Sequence, residues 1–224
     1  GAELGLNTVF TQPDHIIAII LIQECQLPLE TTLFYDAYRW FLRNGVIFDG
    51  GIGAKWSVTR APARQILDDL AKQSTSILAP TFNGKWGLRP YRTDIPIHRD
   101  FTVSNILSSD GSETQAADQR TSSFQLTLGT LQETHTRFEV HYKYNVGNGK
   151  YDGVYYVDHA GSNLPDGTES KSAMEAQCLE SYVRFGLLEP LIVQANWIYN
   201  SGPAIYLLNY LVSYFSKQLF TVQF

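Results

Sequence analysis

Phe138-Glu139-Val140-His141-Tyr142-Lys143-Tyr144 alternates apolar with polar residues, the period of a strand with one buried face. Phe124 to Leu128 and Tyr151 to Val157 are also strand-like runs, and Val146-Gly147-Asn148-Gly149 joins Phe138 to Tyr144 with Tyr151 to Val157 as a meander. Asp158 to Gly167 is a loop, marked by Gly161, Pro165 and Asp166-Gly167. Helical spacing then returns at Ser170 to Phe185, stopped by Gly186, and again from about Pro203 to Lys217, before a terminal strand at Leu219 to Phe224. In the last helix Ile205, Leu207, Leu208, Leu211, Val212 and Phe215 cover more than half of the circumference, so it is buried on several sides.

Upstream, Thr11-Gln12-Pro13-Asp14 starts a helix, with Pro in the first turn and an acid at the positive end of the dipole. The helix would run from His15 to Cys25, against a buried strand suggested by the β-branched run Ile16 to Ile20. Thr32 to Arg43 is a second helix ended by Gly45, and Pro62 opens a third with Ile66, Leu67, Leu70 and Ala71 on one face. Val46-Ile47-Phe48 leads into the turn Asp49-Gly50-Gly51. Asn83-Gly84 joins Ser76-Ile77-Leu78 to Lys85 through Arg89 as a hairpin. Ser108 to Ser123 is a polar surface loop.

These elements make an α+β chain of two small subdomains: helices with β-hairpins over residues 1–97, then a small antiparallel sheet with C-terminal helices over 98–224. No regular βαβα alternation supports a doubly wound fold.

The 224 residues are 44% hydrophobic and only 17% charged, against a usual charged share of roughly a quarter. Such a composition excludes a disordered chain. A net charge of −5 argues against sequence-specific nucleic-acid binding, which needs a basic footprint. The longest apolar run, Ile16 to Ile22, falls far short of the roughly 18 residues of a membrane span. The missing initiator Met and a stop inside a strand-like run are expected of a piece of a longer protein.

Local chemistry is sparse. Cys25 and Cys178 stand alone, without a Cys-x-x-Cys or Cys/His cluster, and are read as free thiols with a bridge between them left open. His15, His98, His135, His141 and His159 have no metal-ligand spacing, and His98-Arg99-Asp100 would point to alternating faces of a strand. Gly50-Gly51-Ile52-Gly53 and Gly147-Asn148-Gly149-Lys150 match turns rather than phosphate loops, and there is no serine elbow. The loop acids Asp152, Asp158, Asp166 and Glu169 are candidates for a glycosidase pair, although turn propensity alone explains them. No cofactor is indicated.

Aromatic residues make up 13% of the chain and crowd its second half. Tyr and Trp offer large contact area with few rotamers to freeze, which makes Tyr206, Tyr210, Tyr214, Phe215 and Trp197 candidate interface residues, with an aromatic core as the equal alternative. Trp56, Trp86 and Trp197 are candidate stacking platforms for a carbohydrate.

The order of short phrases also carries a resemblance. Thr32-Leu33-Phe34-Tyr35-Asp36-Ala37, Phe48-Asp49-Gly50-Gly51 and Asn83-Gly84-Lys85-Trp86-Gly87-Leu88-Arg89-Pro90 are followed by Arg137-Phe138-Glu139-Val140-His141-Tyr142. Glu180-Ser181-Tyr182-Val183-Arg184-Phe185-Gly186 and Ala204-Ile205-Tyr206-Leu207-Leu208-Asn209-Tyr210-Leu211 complete the series. Together they resemble the hub region of phage tail-tip and baseplate-hub proteins, including the host-attachment protein of long non-contractile tails and gene-transfer-agent relatives. The resemblance implies a non-enzymatic virion protein, made in the bacterial cytoplasm. It would form a homotrimeric ring closing the tail tube, with tube or distal-tail proteins on one side and fibre or spike modules on the other. Alternatives of a different class are a carbohydrate- or receptor-binding module and a cell-wall glycan hydrolase.

Overall fold

The computed structural model describes residues 11–48, 62–92, 125–128, 133–218 and 220–223. Helix α1 (Pro13–Ile19) continues as a π-helical turn over Ile20–Glu24, closed by the Cys25 N–H donating to the Ile20 carbonyl at 3.1 Å. The β-branched run is therefore helical. Its neighbours explain why: Ile16, Ile17 and Leu21 share one side and are buried, and tertiary burial overrides a weak local preference. Helix α2 (Thr31–Asn44) buries Phe34, Ala37 and Phe41 and ends at Gly45, whose φ of 62° is open to glycine at little cost. Pro62 precedes α3 (Ala63–Gln73), which turns Leu67, Leu70 and Ala71 inward.

Strands β1 (Ser76–Pro80) and β2 (Trp86–Pro90) form the hairpin expected around Asn83-Gly84. Strand β3 (Gln125–Leu128) pairs antiparallel with the last strand, β8 (Phe220–Gln223), and stands apart from the meander. The main sheet has the order β6-β5-β4-β7, built from β4 (Phe138–Asn145), β5 (Lys150–Asp158), β6 (Gly161–Ser162) and β7 (Leu191–Gln194). Helix α4 (Lys171–Phe185) precedes β7, and α5 (Ser201–Phe215) follows it.

The sheet is mixed, which corrects the expectation of a purely antiparallel one. Strand β7 runs parallel to β4, with Phe138 opposite Leu191 and His141 opposite Gln194. A parallel neighbour needs a crossover, and α4 lies in the connection that supplies it. Leu191-Ile192-Val193-Gln194 is too short to announce itself by alternation. The α+β class itself stands.

Residues of both stretches, 1–97 and 98–224, bury together. Phe138, Val140 and Val157 from the sheet, Met174 and Cys178 from α4, and Leu207, Leu208 and Val212 from α5 belong to the same cluster as Ile17, Leu21, Phe41, Leu70 and Leu88. Trp197 ties the two directly. Its backbone N–H donates to Gln73 Oε1 at 3.0 Å, its indole N–H donates to Asp69 Oδ2 at 3.0 Å, and its ring meets Phe48 at 6.3 Å between centroids. The turn at Asp49-Gly50-Gly51, the glycines through Gly53, Trp56, His98-Arg99-Asp100 and the tract Ser108 to Ser123 lie outside the described residues.

Candidate functional site

Helix α5 turns Ala204, Leu207, Leu208, Leu211 and Val212 into the core. Tyr206, Tyr210 and Tyr214, spaced by four, consequently run down one flank. Tyr206 is half-buried, and its hydroxyl accepts from Trp40 Nε1 at 3.3 Å and from Thr75 Oγ1 at 3.5 Å. Tyr210 and Tyr214 close a triangle with Tyr91, which follows β2, at centroid separations of 5.4, 5.5 and 5.5 Å. Phe215 leans on Tyr214 at 5.7 Å. Among these residues Tyr214 is the open one, at 41% exposure.

Burial, reinforced by the neighbouring phenols Tyr91, Tyr214 and Tyr206, pushes the Tyr210 hydroxyl well above its ordinary value. Burial and Tyr214 push Tyr91 in the same direction. Neither is an acid or base near neutral pH. The cluster therefore presents ring area and neutral hydroxyls, which suits contact rather than proton transfer.

Two clefts flank these rings. One, of about 380 Å³, lies between Trp40, Asn44, Arg92, Tyr206, Asn209 and Tyr214. The other, of about 490 Å³, is lined by Thr75, Tyr91, His135, Leu207, Leu211 and Phe215. Thr75, on its edge, has a φ of 51°, a left-handed conformation that a β-branched residue adopts under strain.

Trp197 does not join the surface. It is 2% exposed, held inward by Asp69 and Gln73, and so offers neither an interface nor a stacking platform. Trp86 is half-buried against the core. The loop acids do not converge on any of these clefts. Asp152 accepts from Asn145 at 3.3 Å, Asp158 pairs with Arg137 at 3.2 Å, Asp166 pairs with Lys171 at 3.3 Å, and Glu169 is exposed. Both cysteines are free; Cys178 is buried, and burial followed by the charges of Asp158 and Glu175 pushes its thiol up to about 12. Among the described residues no group of three or more His, Cys, Asp or Glu is placed to hold a metal ion, and no helix is long and apolar enough to cross a membrane.

Sequence reasoning overlooked a polar cleft of about 660 Å³ between α3 and β7, lined by Asp68, Asp69, Lys72, Gln73, Gln194 and Asn196. It also overlooked the apolar row Leu179, Val183 and Leu187 along and just past α4, exposed by 48%, 77% and 75%. The four-residue spacing of that row was the available signal. The cleft had none, because its two walls are more than a hundred residues apart. No family model and no curated protein sequence matches the chain.

Proposed function

We propose that this chain is a non-enzymatic structural component of a phage tail tip or baseplate hub. It assembles into a ring at the distal end of the tail tube and links the tube to host-attachment modules. The resemblance of its short phrases motivates the family, and one observation carries the assembly role. Leu179, Val183 and Leu187 leave an apolar row on the outer side of α4, while Tyr214 opens the aromatic flank of α5, so low charge is matched by apolar surface suited to contact. Partners would be other copies, tail-tube or distal-tail proteins, and a fibre or spike. Light scattering on the full-length protein should give three times the chain mass. A strictly monomeric species at micromolar concentration that binds no tail protein would sink the reading.

The cleft between α3 and β7 favours a second reading, a carbohydrate- or receptor-binding module. Its acids and amides are the groups that meet sugar hydroxyls, although Asp69 and Asn196 already bond to each other at 3.3 Å. A glycan array without signal would remove it.

A further inference from the structure

The hairpin β1–β2 carries a fully exposed phenylalanine, Phe82, on its turn. That turn is braced from several directions. Thr81 Oγ1 donates to the Lys85 carbonyl at 2.8 Å and also bonds Asn83 Oδ1, which takes the Lys85 N–H at 3.2 Å. Asn83 Nδ2 donates to Glu30 Oε2 at 2.8 Å, fastening the tip to the start of α2. The ring is thus held outward by a fixed turn.

Beside it lies an open hollow of about 720 Å³, walled by Leu33, Ile77, Ala79 and Pro80. Gly87 is its floor: a Cβ there would come within 2.5 Å of Leu33 Cδ1, so the bare backbone keeps the hollow deep. Ile77, on the same side of the hairpin, is 46% exposed. Among the described residues only two charged ones line the hollow. Glu30 stands at the tip end, bonded to Asn83, and Arg89 stands toward the base, opposite Ile77 in the register.

We propose that this face binds the same face of a second copy of the chain about a two-fold axis, each Phe82 ring entering the other copy's hollow. A two-fold contact requires a patch complementary to itself, and this one has the required polarity. Ring and acid lie at the tip, the hollow lies at mid-hairpin, and the base lies at the far end. Turned by the axis, tip meets base, so Glu30 of each copy approaches Arg89 of the other while the rings leave water. An aromatic ring seated in an apolar pocket is the usual energetic centre of an interface, and a charged pair at its rim fixes orientation. A lipid surface or an unrelated apolar segment would make no use of the acid at one end and the base at the other. This contact does not rest on the tail-hub reading, since it pairs copies whatever larger assembly they join.

Sedimentation equilibrium of the full chain, from about 1 to about 100 µM, tests it over the range of an interface of modest size. A reversible doubling of mass is expected, of the single chain or of the three-chain ring where the ring forms, and Phe82→Ser should weaken this pairing on the order of 100-fold because two seated rings are lost. Far-UV dichroism should not move, nor should the melting temperature at concentrations low enough that both chains are dissociated, since the ring is fully exposed in the single chain. Arg89→Glu should weaken the dimer about ten-fold, and combining it with Glu30→Arg should restore much of that loss. A wild-type chain that stays monomeric throughout, or a Phe82→Ser variant that dimerises like wild type, overturns the proposal. A trimer indifferent to Phe82→Ser also overturns it while leaving the ring assembly standing. Phe82-dependent binding to phosphatidylcholine vesicles without self-association would reassign the ring to a lipid and overturn it as well.

Discussion

Glu139 lies on the face of β4 turned away from the helices, with 16% of its side chain exposed. Arg137 Nε donates to its Oε1 at 2.8 Å, and His141 Nε2 lies 3.1 Å from Oε2. Burial alone would raise this carboxyl. The hydrogen bonds from His141 and Arg137, with the Arg137 charge, outweigh burial and hold it below its ordinary 4.5. A depressed acid contributes stability that is fully present above its unfolded value and is lost as pH falls through the folded one. Glu139→Gln should therefore cost about 1 kcal/mol at neutral pH, a modest figure because Arg137 is partly in water. Near pH ~2 the variant and wild type should converge, since Glu139 is then neutral in both folded and unfolded chains. Urea titrations at several pH values read the difference directly, and an offset that stays constant with pH would contradict this account.

Gly153, in β5, faces Tyr142 across the strand pair, and a Cβ there would stand 2.6 Å from the ring at Cζ. The tyrosine ring covers the glycine and stacks on Tyr155 at 5.1 Å, so a bare position in the strand is filled from its neighbour. Gly153→Ala must push that ring aside, with an expected loss of about 1–3 kcal/mol. A changed near-ultraviolet tyrosine signal with unchanged far-ultraviolet dichroism would accompany it. Elements of this kind were only partly legible. The Asn83-Gly84 hairpin, the Gly45 stop and the α5 helix were written locally, in turn chemistry and in spacing. Strand β7 was not, because three apolar residues and a glutamine after Pro190 carry no period and their partner, β4, lies some fifty residues back. The same limit governs the candidate site: Tyr206, Tyr210 and Tyr214 shared a visible spacing, whereas Tyr91, which completes their triangle, arrives from another element. Trp197 looked available for contact because nothing near it in sequence reveals Asp69, the acid that draws its indole inward.

One hydrophobic cluster joins α1, α2 and α3 to the four-stranded sheet and its helices. The chain should consequently unfold as a unit. Urea denaturation followed by tryptophan emission and by far-ultraviolet dichroism is expected to give a single shared midpoint, as a cooperative domain does. Two separated transitions would show that residues 1–97 and 98–224 keep independent stabilities despite Trp197, Gln73 and Asp69 bridging them.

The pairing of β3 with β8 has a consequence for how the molecule is made. Gln125 is bonded in register with Gln223, so β3 leaves the ribosome long before its partner exists. At usual synthesis rates that interval is about 5–20 s, much longer than a hairpin takes to close. Throughout it, the nascent β3 has hydrogen-bonding edges and no native neighbour, the condition under which strands of different chains pair. The exposure ends only when residues 220–223 have emerged, so stalling between the two strands should fall heavily on solubility.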